Sequence, residues 1–265
     1  MKTLIFLILV SFGFFSVAYA ANNPINSASP GSENALLGKW VKMGPAGPVG
    51  FEFKGDGTIE GDFGNNQTVD VVAKYALKGD TIQFMDTDGQ MCAGIGRYKL
   101  YQTDYYLSFD LIDDDCSGRI QVTMGFWTKP GFSDLLKELD HAIAASPHPD
   151  HYLHRARIYL ATGMPQLAKE NFDQYLLTDT LDARVYVNRA GTRFPGDLSG
   201  VIVDCNKSIA LDPLNKNAYF LRGLAHYELG NKEQGCQDFE IAIELGFSVL
   251  RIAEQERCVD FWKHQ

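Results

Sequence analysis

The sequence has few basic residues, with 24 Lys and Arg against 33 Asp and Glu, and its formal net charge is −9. A protein that neutralises nucleic-acid phosphates needs a basic surface, so this balance argues against a general nucleic-acid binder. An aromatic content of 12% and a hydrophobic content of 45% argue against intrinsic disorder. The length of 265 residues is that of one or two folded domains.

Signatures of catalysis are also missing. The sequence contains no GxSxG, no HExxH and no glycine-rich phosphate loop, and no spacing of Ser, His and Asp indicates a triad. We therefore predict a protein that is not an enzyme and uses no cofactor. None of the five cysteines forms a CxxC pair, which argues against a zinc site.

A single long apolar run occupies residues 4–17, after Lys2 and before Ala18-Tyr19-Ala20. The run is short for a membrane span, and the small-x-small ending is typical of a signal peptide, so we predict cleavage near Ala20. Residues 1–20 are then a signal peptide, and the polar residues 21–34 a flexible linker. The mature chain is expected in the periplasm or secreted, without a membrane span, where disulfides persist.

Apolar and polar residues alternate from about residue 35 to 130, as Val49, Phe51 and Phe53 illustrate. Period two is typical of strands with one buried face, and turn signals such as Gly79-Asp80 separate the runs. We count eight strands, the last over 119–128, and predict an antiparallel β-barrel. Its predicted interior comprises Phe51, Phe53, Tyr75, Phe84, Tyr98 and Phe109.

The barrel region begins with Leu37-Gly38-Lys39-Trp40, which resembles the Gly-x-Trp signature of the first lipocalin strand. The resemblance covers about 95 residues and implies a lipocalin-like barrel over 35–130. Lipocalins place a basic residue of the last strand against this Trp, and either Lys129 or Arg119 suits that role. The resemblance also allows an alternative function, in which the barrel carries a small apolar ligand, although its bulky interior side chains can equally fill it.

From residue 133 the period becomes helical, and a motif recurs at Arg155, Arg189 and Arg222, which lie 34 and 33 residues apart. Large and small residues recur in register around them: Tyr152, Ala156, Ala168 and Phe172; Tyr186 and Ala190; Tyr219, Gly223 and Phe239. This pattern resembles the tetratricopeptide repeat, whose helical hairpins stack because no single hairpin buries its apolar face. We therefore predict an all-α tetratricopeptide-repeat solenoid over 131–265, with a capping helix near 248–262.

The resemblance implies a groove lined by the first helix of each hairpin, where we place Arg157, Asn188, Leu224 and Tyr227. The leading hypothesis is a non-enzymatic exported adaptor that recognises a protein or peptide partner there. The three repeated arginines could read a carboxylate or phosphate. We favour internal pairing instead, because Asp204 and Asp238 recur at equivalent positions.

Two disulfides are predicted, Cys92–Cys116 in the barrel and Cys236–Cys258 between the last repeat helix and its cap, while Cys205 fills a core position. Histidines cluster between His141 and His154. Their spacing matches no standard zinc motif, so we predict the start of a helix with solvated histidines and no metal.

Overall fold

The computed structural model describes residues 33–44, 46–86, 92–178, 181–247 and 258. The predicted signal peptide, most of the predicted linker and the predicted capping helix, apart from Cys258, lie outside these residues. Within the described part of the chain, no helix combines the length and apolarity that crossing a bilayer requires.

Eight strands follow a short helix α1 (Glu33–Leu36), and each pairs antiparallel with the next. Pairing of Val41 in the first strand with Thr128 in the last closes the sheet into a barrel, as predicted. The strands are β1 (Gly38–Gly44), β2 (Gly47–Phe53), β3 (Thr58–Phe63), β4 (Val71–Lys78), β5 (Thr81–Asp86), β6 (Ile95–Gln102), β7 (Tyr106–Asp113) and β8 (Gly125–Thr128).

The core of the barrel is aromatic. Phe53, Tyr75, Phe84, Tyr98 and Phe109 are buried, and the half-buried Phe51 packs against them. All six residues predicted for the interior therefore lie there. The alternation along the strands explains this placement, because every second side chain points to the same face of a sheet.

The predicted eighth strand over 119–128 is wrong in its first half. Residues Ser117–Thr123 form a helix, α2, and β8 is only four residues long. The sulfur of Cys116 accepts the N–H of Arg119 and caps the helix, and Ile120 and Thr123, three residues apart, are both buried. The alternating apolar residues of this segment fit a strand equally well, so their pattern did not distinguish the two structures.

Three helices follow the barrel: α3 (Phe132–Ala145), α4 (Pro149–Ala161) and α5 (Pro165–Leu176). The change from strand to helix thus falls near residue 130, where the domain boundary was predicted. The division into compact units falls elsewhere, between Tyr175 and Leu176. The barrel and the helices up to this point form the first unit.

The second unit contains α6 (Ala183–Arg193), α7 (Leu198–Leu211), α8 (Lys216–Glu228) and α9 (Lys232–Glu244). Asp182, Asp197 and Asn215 cap the first three of these helices by accepting backbone N–H groups. Helices α8 and α9 approach so closely that a Cβ at Gly223 would lie 2.8 Å from the ring of Phe239. The small residue predicted at this repeat position is therefore required for the hairpin to close.

The remaining repeat residues are placed as the repeat requires. Ala156, Ala168, Phe172, Ala190 and Phe239 are completely buried. The three repeat tyrosines are buried or half-buried: Tyr152, Tyr186 and Tyr219. The shared register therefore describes residues with equivalent roles in packing.

Candidate binding surfaces

The repeated arginines are paired within their own hairpins. Arg189 donates through Nε and Nη2 to the carboxylate of Asp204, at 3.0 and 2.5 Å. Arg222 donates in the same way to Asp238, at 2.9 and 2.6 Å. The predicted internal pairing is confirmed for these two hairpins, and such two-pronged bonds occupy the carboxylate that a ligand would have to replace.

The first hairpin has Asn171 at the position of these aspartates. Arg155 donates to Asn171 Oδ1 at 2.7 Å, and it obtains a carboxylate from Asp140 on α3 instead. In all three hairpins the guanidinium also lies over the tyrosine three residues earlier, 5.4 to 5.7 Å from the ring centroid. These arginines therefore hold the helices together rather than form a free basic surface.

The residues predicted to line a groove are mostly inside the protein. Asn188, Leu224 and Arg157 are 4%, 1% and 4% exposed, and only Tyr227 is half-exposed. The buried Nδ2 of Asn188 has no hydrogen-bond partner in the described part of the protein.

Arg157 does not line an open groove, which corrects the prediction for this residue. Helix α4 packs on β8, β7 and β1, and Arg157 donates to the hydroxyl of Tyr106 on β7. Its guanidinium lies 5.0 Å from the ring centroid of Tyr106 and 5.8 Å from that of Phe126. The barrel thus covers the face of α4 that would otherwise accept a partner. This contact joins residues 51 positions apart, and no local pattern predicts it.

Of the clustered histidines, His148 lies at the start of α4 as predicted, whereas His154 does not fit the prediction. His148 caps the helix by accepting the N–H of Asp150, at 3.3 Å. His154 is mostly buried, and its ring stacks on Tyr105 at 4.7 Å, so the prediction that it is solvated is wrong. Burial, with a smaller contribution from nearby Arg157, lowers the pKa of His154 to about 4. The described residues contain no group of three or more His, Cys, Asp or Glu that could hold a metal.

A half-open pocket of about 60 Å³ lies between apolar side chains of β2 to β5 and residues of helix α2. Pockets for small-molecule ligands usually have volumes of roughly 300–1,000 Å³. The aromatic core therefore leaves too little space for a lipid-sized ligand. The carrier hypothesis receives no support from this interior.

The structure distinguishes the two candidates for the basic partner of Trp40. The Nζ atom of Lys129 lies 3.7 Å from the centroid of the Trp40 ring. Arg119 is instead bonded to Asp114, through Nε at 2.6 Å and Nη2 at 2.7 Å. Both predicted cysteine pairs lie at disulfide distance, with Cα separations of 5.7 Å for Cys92–Cys116 and 5.6 Å for Cys236–Cys258. Cys205 is free and buried, and burial raises the pKa of its thiol.

The sequence analysis did not identify two buried charged residues, Asp114 and Lys42. Asp114 accepts from Arg119, from the hydroxyl of Tyr98 and from the N–H of Cys116. Burial alone would raise the pKa of Asp114, but the hydrogen bonds from Arg119 and Tyr98 hold it below its usual range. Lys42 is also buried, and its position two residues after Trp40, on the same face of β1, was the signal that could have revealed it.

No protein-family model and no curated protein matches this sequence. Among solved structures, the chain is similar to a crystal structure of MamA, with 22% identity and a TM-score of 0.41. That match covers 42% of this chain and 66% of the MamA chain, just under two thirds of its length.

Other similar structures come from RPAP3. The second TPR of Spaghetti (RPAP3), bound to the HSP90 peptide SRMEEVD, has 24% identity and a TM-score of 0.36, over 40% of this chain and 98% of that chain. The first TPR domain of human RPAP3, solved by NMR, has 25% identity and a TM-score of 0.36, over 38% of this chain and 83% of that chain.

Proposed function

We propose that this protein is a non-enzymatic, exported binding or adaptor protein whose second compact unit binds a peptide segment of a partner. The binding face would consist of the inner sides of α6 and α8, the first helices of two hairpins of a tetratricopeptide-repeat solenoid. The repeat spacing of 34 and 33 residues supports the solenoid. The two cysteine pairs at disulfide distance are consistent with export.

The observation that carries the proposal is the buried, unpartnered Nδ2 of Asn188 on α6. A buried donor without an acceptor costs about 1–3 kcal/mol, so such groups are rare in folded proteins. A backbone carbonyl of an extended peptide would satisfy this donor. The half-exposed Tyr227 of α8, another residue predicted to line the groove, would supply a contact for a side chain of the peptide.

The pairing of the repeated arginines indicates how a partner would be held at this face. Because Arg189 and Arg222 are bound to aspartates of their own hairpins, recognition through a column of free cations is not available. The proposed partner is therefore held by hydrogen bonds to its backbone and by apolar contacts rather than by an acidic terminus. In the barrel, the lipocalin-like assignment rests on the contact between Lys129 and Trp40.

The test begins with random twelve-residue peptides displayed on phage and selected against the full chain. The selected peptide is then synthesised, and its affinity is measured by isothermal titration calorimetry. We expect Asn188→Ala to weaken binding by about tenfold, equivalent to about 1.4 kcal/mol. Lys207→Ala, a substitution of an exposed residue on α7, serves as the matched control and should leave the affinity unchanged.

Two results would contradict the proposal. One is a selection that yields no peptide with measurable affinity. The other is a selected peptide that binds Asn188→Ala and the unsubstituted protein equally well.

A further inference from the structure

Three histidines, spaced three residues apart, lie along one side of the start of helix α4. His148 caps the helix, and its ring centroid lies 5.7 Å from that of His151. His154 is the last of the row and meets the barrel, where its ring stacks on Tyr105 at 4.7 Å and lies 6.0 Å from the ring of Tyr106. The row therefore ends inside the contact between α4 and the barrel.

The barrel presents these two tyrosines on the hairpin between β6 and β7, which is held by bonds of its own. The N–H of Thr103 donates to the carbonyl of Tyr106 at 3.0 Å. The hydroxyl oxygen of Thr103 accepts the N–H groups of Tyr105 and Tyr106, each at 3.2 Å. Because these bonds lie within the hairpin, α4 can separate from it without disrupting the turn.

The contact favours a neutral His154. In a protonated imidazole both nitrogens are donors, and the buried Nδ1 of His154 has no hydrogen-bond partner among the described residues. A buried donor without an acceptor destabilises the contact. Arg157, three residues later, already holds its guanidinium over the rings of Tyr106 and Phe126, so a charged His154 would place a second cation beside the first.

The elements packed on α4 provide little to balance such a charge. Helix α3 contributes Asp140, whose carboxylate is bonded to Arg155. The barrel contributes the rings of Tyr105 and Tyr106, which are uncharged at neutral and acid pH. The carboxylate that does act on the ring of the last histidine is Asp150, at the start of α4.

The sign of the pH dependence follows from these groups. Burial lowers the pKa of His154 from 6.5 to about 4, with a further decrease from Arg157 and His151 and an opposing effect of Asp150. Once separated from the barrel, the ring regains a pKa near 6.5, so the separated form binds more protons between these values. The contact is therefore strongest above about pH 6.5 and weakens as the pH falls towards 4.

We propose that the contact between α4 and the β6–β7 hairpin is a pH-sensitive clasp, which is closed while His154 is neutral and opens when acid protonates it. Opening uncovers the aromatic face of Tyr106 and Phe126, both buried in the closed contact. Packing against α3 keeps the helix attached while the clasp is open, and a return to neutral pH closes it again.

A thiol placed under α4 in the full chain measures this opening. Thr128 of β8 is completely buried, pairs with Tyr106 and lies on the same side of the strand as Phe126, so Thr128→Cys puts a thiol at the contact. The reagent is 4,4′-dithiodipyridine, which reacts with thiols in acid as well as at neutral pH, and mass spectrometry identifies the labelled cysteine. We expect the labelling rate, divided by that of the urea-denatured protein at the same pH, to rise about twentyfold from pH 7 to pH 5.

Two substitutions of His154 remove its titration. His154→Phe keeps a ring against Tyr105, and His154→Asn introduces the residue that α6 has at the same repeat position, Asn188. In either background the Thr128→Cys thiol should lose the pH-dependent rise. The matched control is His141→Asn, a substitution of an exposed histidine on α3, which should leave the rise intact.

Two other thiols distinguish opening of the clasp from unfolding. Val49→Cys places a thiol in the core of the barrel, and the natural free Cys205 is buried in the second compact unit. Neither corrected rate should rise between pH 7 and pH 5.

The proposal is overturned if the corrected rate for Thr128→Cys does not change with pH, or if its rise persists when His154 is replaced by Phe or Asn. An equal rise for Val49→Cys also overturns it, because acid then unfolds the barrel as a whole. These results are separate from those for the peptide-binding proposal, which concerns Asn188 in the other compact unit.

Discussion

The buried arginines of the helical hairpins and the buried Lys42 of the barrel are accommodated in different ways. In the hairpins, Arg189 and Arg222 each meet an aspartate 15 or 16 residues further along the chain, on the neighbouring helix. In the barrel, Lys42 has no carboxylate partner among the residues that the structure describes. Its ammonium donates to the carbonyl of Met124 and lies 4.7 Å from the centroid of the Trp127 ring.

The difference follows from how each region is built. A repeated hairpin presents the same two positions to each other every time, so a charged pair that works once can recur. The barrel closes only once, and helix α2 is followed by Met124, whose carbonyl has no strand partner among the described residues. Lys42 supplies the missing donor, and the burial of its charge is the energetic cost of ending the strand early.

The largest expected effect comes from a matched pair of deletions, Phe109→Ala in β7 and Phe239→Ala in α9, since both side chains are completely buried. Each should lower the free energy of unfolding of its own region by about 4 kcal/mol. In a Trp262→Phe background, which leaves Trp40 and Trp127, denaturation by urea is followed by tryptophan fluorescence for the barrel and by circular dichroism at 222 nm for the helices. If either variant shifts both signals by the same amount, the two regions do not unfold independently.

A smaller effect is expected from Asp204→Ala, which removes the buried acceptor shared by Arg189 and Arg193. We expect a loss of about 3 kcal/mol in the unfolding free energy measured at 222 nm, because two guanidinium groups lose their counter-charge. Asp204→Asn is the matched control, since Asn171 occupies this position in the first hairpin, and it should cost about 1 kcal/mol. Equal losses for the two variants would show that the charge contributes nothing beyond the hydrogen bond.

The smallest effect concerns Lys42 and depends on pH. Burial lowers the pKa of Lys42 from 10.5 to about 7, so the unfolded chain binds more protons than the folded one between these values. The free energy of unfolding of the barrel should therefore rise with pH in this window, by about 2 kcal/mol between pH 7 and pH 9. Lys42→Met should remove this rise, whereas substitution of the exposed Lys78 by Met should leave it intact. The measurement is urea denaturation at a series of pH values, followed by tryptophan fluorescence. A Lys42→Met protein that keeps the full slope would show that another group titrates.

Local sequence patterns predicted most strands and helical hairpins, but they did not predict which faces of these elements are exposed to a partner. Alternation predicted seven strands and the second half of the eighth, and the interval from Arg155 to Arg189 to Arg222 predicted hairpins with paired charges. Both patterns state which side of an element is buried. They do not state what buries it, and for this reason Arg157 was assigned to an open groove although the barrel covers it.

Residues 119–124 show the same limit within one segment. Ile120 and Val122 fit a strand by alternation, whereas Ile120 and Thr123 fit a helix by their spacing. The anchors at Cys116 and Asp114 favour the helix, and the partners of these anchors, Cys92 and Tyr98, are distant in the chain. A sequence pattern that both structures satisfy contains no information about such distant contacts.

The amino-acid order was sufficient to specify the strands, the hairpins and the internal pairing of the arginines, because these features depend on residues that lie close together or recur at a constant interval. Long-range packing chose Lys129 over Arg119 as the partner of Trp40, closed the face of α4 and turned the start of the eighth strand into a helix. Each of these outcomes depends on side chains that are far apart in the chain and meet only when the barrel closes.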